Sequence, residues 1–428
     1  MTELIVNLND PAATNAARFG PKAANQALLG RAGLPIPSGF CLDAKAYRLQ
    51  LQALGLEQSA LDAARLKGPD ARPYISEVRI GLFESPITPS VLKPLRKAWR
   101  ELIGDSGTLT VVRSSALLED VAGSTFAGQF ETFLGLENED ELLTAVRACW
   151  AALWSSRAMQ YMADHALGPA DTAMALCIQP LVEARVSGGG LSRTADGNML
   201  LTATWGLGTS IAQGEVVPDS YHLTRDGDLR EVSAGRREHS VFCTHHGAAR
   251  SARFDGNKID SEPCLDNRQA VELGQLMLRA ERLLGVPVEI EWALDYTGFR
   301  VLQARPLHMA SAAVPDAAWS RHPGLRGQPS GIGWASGRSC VINCECELSR
   351  VAPGDILITK VAGPALSQVL PRVAGVVAEL GGSTSHLASL ARERGIPMVL
   401  GVLEATRKIP DGAQVGVDGV MGMVHWQH

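Results

Sequence analysis

The run "ELGGSTSHLASLARERGIPMVLG" carries the sharpest chemical signal in the chain, because its one imidazole, His386, opens a helix behind a Ser/Thr cluster and a strand ending in Gly381 and Gly382. Gly395 stops that helix, and Pro397 follows. Unpaired N–H groups and the positive dipole end at a helix start disfavour imidazolium and favour an anion. His386 therefore reads as a neutral nucleophile whose phosphorylated form is stabilised. Taken singly, the same histidine also reads as a cap or a solvated residue. The glycine pair adds room for a second backbone, or a nucleotide phosphate, to come close.

In the N-terminal half, "VVRSSALLEDVAGSTFAGQFETFLGL" sets Arg113 at a strand end, ahead of a loop with Gly123, Ser124, Thr125, Gly128 and Gln129. Backbone N–H groups of such small residues can cradle phosphates, and a solvated surface loop is the plain alternative. Lys22, in "FGPKAANQALLG", stands at the start of a predicted helix, where a cation opposes the dipole unless an anion or water intervenes. "VEIEWALDYTGFRVLQARPL" reads as a hairpin with a Gly-containing turn; Gln303 and Arg305 share a face, and Glu291 joins them across it. These offer two oxygen ligands for Mg²⁺ and a fork-shaped cation for phosphate oxygens, although alternating polar residues also suit a half-exposed hairpin.

Elements must bring these distant groups together. The 428 residues are 46% hydrophobic and 20% charged, enough material for two or three cores. Amphipathic helical stretches (22–32, 86–103, 139–164 and 268–284) alternate with β-branched runs (108–114, 174–181, 199–205, 288–295 and 299–306), which predicts an α/β (α+β) fold. From 311 to 330 Pro, Gly, Ala and Ser dominate without apolar periodicity, marking a linker. Beyond it, short strands near "DILIT", "AGVVAE", "PMVLG" and "AQVGVDG" surround a helix at 385–394. The net charge of −5 lacks the basic excess of a nucleic-acid binder. No apolar stretch reaches the ~18 residues of a membrane span and no signal peptide is evident, so the expected location is cytoplasmic. The eight cysteines read as reduced core thiols. Cys340, Cys344 and Cys346 in "CVINCECE" match no common zinc spacing and read as strand or turn packing, as does "CTHH" at Cys243, His245 and His246.

Assembled, these residues resemble the phosphoenolpyruvate synthase and pyruvate phosphate dikinase family, which includes the rifampin phosphotransferases. The resemblance rests on "GPKAANQALLGRAGLPIPSGF", "VVRSSALLEDVAGSTFAGQFETFL", "IQPLVEARVSGG", "WGLGTSIAQGEVVPDSY", "VEIEWALD", "FRVLQARP" and "GGSTSHLASLARERGIPMVLG", in family order. It implies an ATP-grasp-type ATP-binding domain over 1–310, a flexible linker over 311–330 and a swivelling phosphohistidine domain over 331–428. It further implies that Lys22, Arg113, Gly128, Thr132, Gln179 and Arg305 contact ATP, with Leu181 and Val182 beside Gln179 at the strand edge that receives adenine. Glu291 and Gln303 would contact ATP and also hold Mg²⁺, and His386 would be the phosphoryl carrier. Family chemistry takes ATP to AMP: the histidine domain docks on the nucleotide, accepts phosphoryl, and swings to a separate acceptor site.

Departures from the family pattern shape the expectation. The sequence stops at His428, leaving no barrel for pyruvate or phosphoenolpyruvate, and no long insert separates the two domains. "SGGGLSRTADG" departs from the usual pattern of Ser-Gly-Val, then Phe or Leu, then Thr or Ser, Thr209 stands where glutamate is usual, and "VAGPALSQ" replaces an upstream "TDP". The leading reading is thus a Mg²⁺- and ATP-dependent phosphotransferase whose acceptor is a small molecule or lies on a partner subunit. The alternatives are a phosphoryl-donor subunit of a multi-subunit synthase and a nucleotide-binding regulatory module without turnover.

Overall fold

"TVVRSSA" and "MALCIQP" place Val111, Val112, Leu176 and Ile178 among small residues, and both segments become largely buried strands paired along their whole length. In the computed structural model they lie at the centre of an antiparallel sheet of β1 (Ile5–Asn7), β2 (Phe40–Leu42), β3 (Thr110–Ala116), β4 (Thr132–Leu136) and β5 (Met174–Pro180), ordered β1-β2-β5-β3-β4. The structure describes residues 3–427 apart from 67, 105–106, 121–124, 131, 237–261, 310–318 and 320–322. This sheet belongs to the first of two compact units, Met1–Glu183 with Arg300–Arg305. The unit also holds α1 (Ala16–Arg31), α2 (Ala44–Ala53), α3 (Glu57–Arg65), α4 (Arg72–Glu84), α5 (Pro89–Ile103), α6 (Glu139–Ala152) and α7 (Ser156–Asp164). α1 buries Phe19, Ala23 and Ala27 against Val6, Leu8, Cys41 and Cys177.

Two helix expectations are corrected here. The run 139–164 is two helices, because Ser155 caps a second start, its Oγ accepting from Ala158 N at 3.2 Å. The helix expected from residue 22 begins at Ala16 and passes Gly20, whose φ of 73° breaks the helical path before Pro21 restarts it.

The second unit comprises Ala184–Phe299 and Pro306–His428. Its antiparallel sheet contains β6 (Val186–Leu191), β7 (Met199–Trp205), β8 (Asp219–Leu223), β9 (Leu229–Ser233) and β10 (Val288–Asp295), ordered β10-β6-β7-β8-β9. After β10, Asp295 Oδ1 accepts from Thr297 N at 2.7 Å and Gly298 N at 3.0 Å, turning the chain into β11 (Gly298–Pro306). α8 (Thr209–Ala212) is one turn long. α9 (Asn267–Leu284) starts in a reciprocal capping box between Asp266 and Gln269 and ends at left-handed Gly285.

The same unit contains an eight-stranded sheet: β12 (Gly324–Arg326), β13 (Gln328–Pro329), β14 (Trp334–Ile342), β15 (Ile356–Thr359), β16 (Gly375–Ala378), β17 (Met398–Leu400), β18 (Gln414–Asp418) and β19 (Met423–Gln427), ordered β12-β19-β18-β14-β15-β16-β17-β13. β14 to β17 run parallel. α10 (His386–Arg394) and α11 (Ala405–Lys408) accompany it. Val377, Val399, Val415 and Val417 fill its core with Ile356 and Ile358, each fully burying a side chain worth roughly 1.5–3 kcal/mol. The chain is a mixed α/β protein.

Two further expectations change. The linker read over 311–330 ends sooner, since 324–326 and 328–329 are strands of this sheet; residues 311–318 and 320–322 lie outside the described residues. Cys344 and Cys346 are joined in a disulfide rather than reduced, the turn into Glu345–Arg350 bringing their Cα atoms within 5.2 Å. Cys41, Cys149, Cys177, Cys264 and Cys340 are buried free thiols, and the "CTHH" segment lies outside the described residues. No helix among the described residues is long and apolar enough to cross a membrane.

Candidate functional site

Gly20 permits the approach that places Lys22. A Cβ there would lie 2.3 Å from Ser115 Oγ, so only glycine lets the restarted helix sit against β3, where Ala23 N donates to Ser115 Oγ at 3.2 Å. Lys22 then extends to Glu119, its Nζ 2.7 Å from Oε1, with Lys22 at 18% and Glu119 at 0% side-chain exposure. Glu119 Oε2 accepts from Ala116 N at 2.9 Å. Burial pushes the Glu119 carboxyl up from 4.5 to about 7, with the Lys22 ammonium pulling the other way. Sequence reasoning passed over Glu119, although it stands six residues after Arg113 in the same quoted motif.

Lys22, Arg113, Gln179 and Gln303 line one narrow pocket of the first unit, together with Ser114, Ser115 and Gln26. Arg113 comes from β3 and Gln179 from β5, whose buried amide donates to Pro37 O at 3.1 Å. Gln303 arrives on β11, held against α1 by Gln26 Nε2 to Val301 O at 2.8 Å and Asn25 Nδ2 to Ala304 O at 3.3 Å. Two lysine or arginine cations beside two amides suit phosphate oxygens. Arg305 is buried two residues further along β11.

Other expected residues lie outside that pocket's lining. Thr132 is exposed at the start of β4, in register with Arg113. Gly128 adopts φ 67° in the turn where Gln129 N donates to Phe126 O at 3.0 Å. Leu181 and Val182 are half-buried just past β5, with Leu181 N donating to Leu109 O at 2.8 Å. Gly123 and Ser124 lie outside the described residues. Glu291 belongs to the second unit, half-buried on β10 opposite Gly189 of β6.

His386 is the first residue of α10, half-exposed, behind the cap Ser385, whose Oγ accepts from Ala388 N at 3.3 Å. Gly395 ends the helix at φ 67°. The segment before it is fixed from several sides. Ser383 Oγ donates to Pro329 O at 2.6 Å, and the buried Arg392 guanidinium donates to Ser383 O at 2.5 Å and Ser330 O at 3.0 Å. The glycine pair meets this protein's own chain: Gly381 N donates to Val216 O at 3.1 Å, and a Cβ on Gly382 would stand 2.6 Å from the Pro218 ring. Thr384 seats on β6 and β7, its Oγ1 2.6 Å from Thr202 Oγ1, and a Cβ on Gly189 would approach Thr384 Cβ to 2.6 Å. Of the glycines of "SGGG", an oddity in the sequence, Gly189 is the one that admits Thr384 there. No parity rule links residues so far apart, so Thr202, Gly189 and Thr384 carried no signal as a group.

Residues 16–322 match the family described as pyruvate phosphate dikinase, AMP/ATP-binding domain, and residues 351–422 match PEP-utilising enzyme, mobile domain. The chain is 30% identical to phosphoenolpyruvate synthase of Aeropyrum pernix, over 95% of this chain and 56% of the relative. It is 31% identical to a probable phosphoenolpyruvate synthase of Archaeoglobus fulgidus, over 95% and 56%. Against the phosphoenolpyruvate synthase of Escherichia coli it is 27% identical over 91% and 52%. The chain thus spans about half the length of the curated relatives it matches. With the first of those two matches covering well over half its residues, this chain belongs to the pyruvate phosphate dikinase AMP/ATP-binding family and joins to that region a PEP-utilising mobile domain.

Proposed function

We propose that the chain takes a phosphoryl group from ATP onto its own His386, releases AMP as the nucleotide product, and delivers the phosphoryl group to a small-molecule or partner-borne acceptor. One observation supports this above the rest: Thr384, two residues before His386, sits on Gly189, the register partner of Glu291. The segment leading into His386 is therefore held at the strand paired with the one that bears the expected metal ligand.

In this reading Lys22 and Arg113 bind phosphate oxygens in the first unit's pocket, Gln179 orients the nucleotide at the end of β5, and Arg305 adds a second guanidinium. Thr132, Gly128, Leu181 and Val182 border the nucleotide. Glu291 and Gln303 supply a carboxylate and an amide oxygen, a donor set that suits a hard cation sharing its shell with phosphates; among the described residues no cluster of three His, Cys, Asp or Glu forms an all-protein cage. Mg²⁺ bound there would neutralise phosphate charge during transfer. A ring nitrogen of neutral His386 attacks a phosphorus of ATP, the N–P bond forms as the P–O bond to the leaving group breaks and the imidazole sheds its ring proton, and the second phosphoryl group removed on the way to AMP passes to water or phosphate. The first turn of α10 favours the negative charge this brings. Residues 331–428 would then move as a body against 184–299.

The test is incubation of the full chain with Mg²⁺ and radiolabelled ATP. The expected products are AMP and an acid-labile, alkali-stable protein label that His386→Ala loses completely. Formation of ADP alone, or label persisting in His386→Asn, would end this assignment.

A further inference from the structure

A buried polar cluster lies between β10 and α10. Glu289 is 7% exposed and Arg392 3% exposed. Glu289 Oε2 accepts from Ser389 Oγ at 2.5 Å and stands 3.4 Å from Arg392 Nη2. Arg392 Nη2 also donates to Ser389 Oγ at 3.1 Å. His386, Ser389 and Arg392 recur every third residue, so they descend neighbouring positions of one side of α10. On β10, Glu289 and Glu291 alternate with Ile290 and therefore share a face.

We propose that Glu289, Ser389 and Arg392 form a latch that positions His386 for loading, and that opening this latch releases the carrier. The proposal rests on the reading of His386 given above and adds to it the residues that set its docked pose.

The charges explain why this contact acts as a latch. Arg392 is built into the C-terminal body, where it holds the carbonyls of Ser330 and Ser383 whatever lies outside. Its carboxylate partner comes from β10, in the region matched as AMP/ATP-binding. Separating the two surfaces strips a buried cation of its counter-charge, whereas together each compensates the other's desolvation. A second contact, Thr384 against Thr202 and Gly189, lies at the opposite end of α10. Two contacts fix the direction of the helix as well as its location, which one contact would leave free to pivot. Glu289 accordingly acts through Ser389 and Arg392, as a positioning residue for His386.

The full chain is compared with Glu289→Gln, which keeps the shape and removes the charge, with Glu289→Asp, and with Ser389→Ala, which leaves the ion pair intact. The rate of His386 labelling from ATP and Mg²⁺ is expected to fall tenfold or more in Glu289→Gln and a few-fold in Ser389→Ala, with the KM for ATP unchanged and partial recovery in Glu289→Asp. Small-angle scattering without nucleotide is expected to show a larger radius of gyration in Glu289→Gln. Wild-type labelling rate and wild-type scattering in folded Glu289→Gln and Ser389→Ala would overturn the latch, as would slower labelling with an unchanged radius. If wild-type protein takes no label at all, the phosphohistidine reading fails, and the scattering comparison alone decides the latch.

Discussion

Lys22 reaches Glu119 with a long side chain across 2.7 Å, whereas Thr384 meets β6 only because Gly189 has no side chain to stand in its way. The first region is organised by charge: a fully buried carboxyl, an ammonium and a guanidinium from three separate elements around a narrow pocket. The second is organised by the removal of atoms, with Gly189, Gly381 and Gly382 each allowing chain to approach chain. Charges can be retuned by pH or substitution while the backbone stays in place. A close approach tolerates no added atoms.

That contrast orders the expected effects. The largest is on the charged side. The Glu119 carboxyl holds its proton up to about pH 7 in the folded chain against an ordinary 4.5, so the folded form binds the extra proton between those values. Stability is therefore full below about pH 4.5 and declines as pH rises through 7, by up to about 3 kcal/mol from this group. Urea midpoints measured from pH 5 to 8 should show that decline, and Glu119→Gln should flatten it; an equal slope in both proteins would remove Glu119 as its source. Next, on the proposed reading of Lys22 as a phosphate ligand, Lys22→Met removes a charge-assisted contact worth about 2 kcal/mol, and the KM for ATP should rise roughly thirtyfold. An unchanged KM would mean that Lys22 serves Glu119 alone.

On the side of close approach, Gly189→Val pushes Thr384 away, at an overpacking cost of about 1–2 kcal/mol. His386 labelling should slow roughly tenfold while ATP binding, followed by nucleotide titration, stays as in the wild type. Weakened ATP binding with normal labelling would reverse the roles assigned to the two regions. The smallest effect is expected at Cys344→Ala: a disulfide between residues two apart closes almost no loop, so thermal stability should move by less than about 1 kcal/mol and labelling should not change.

The sequence carried these two regions unequally. Local patterns were strong where one segment holds the whole signal: the cap at Ser385, the stop at Gly395 and the strands "MLLTATW" and "VEIEWALD" stand where their residues predict. Strand β14 went unread because "WASGRSCVI" scatters Gly, Ser and Arg among its apolar residues, and its burial is decided by parallel partners far along the chain. Helices α2 to α4 were also passed over, their apolar positions diluted by Arg, Gln and Glu. At the sites, Lys22, Arg113 and Gln303 were legible by type and Gln179 only through the family resemblance, while their convergence depends on α1 and β11 being tied by Gln26 and Asn25. Glu289 was legible in principle: it sits at the same strand parity as Glu291, and Ser389 and Arg392 fall on the side of α10 that begins at His386.

Strands β12 and β13 tether the C-terminal sheet earlier than composition suggests, with Gln328 Nε2 donating to Pro218 O at 3.3 Å. If His386 carries phosphoryl as proposed, Gln328 has to part from Pro218 each time the carrier leaves. An acceptor, whether a metabolite pocket or a companion polypeptide, would on that reading meet the carrier only while this contact stands open.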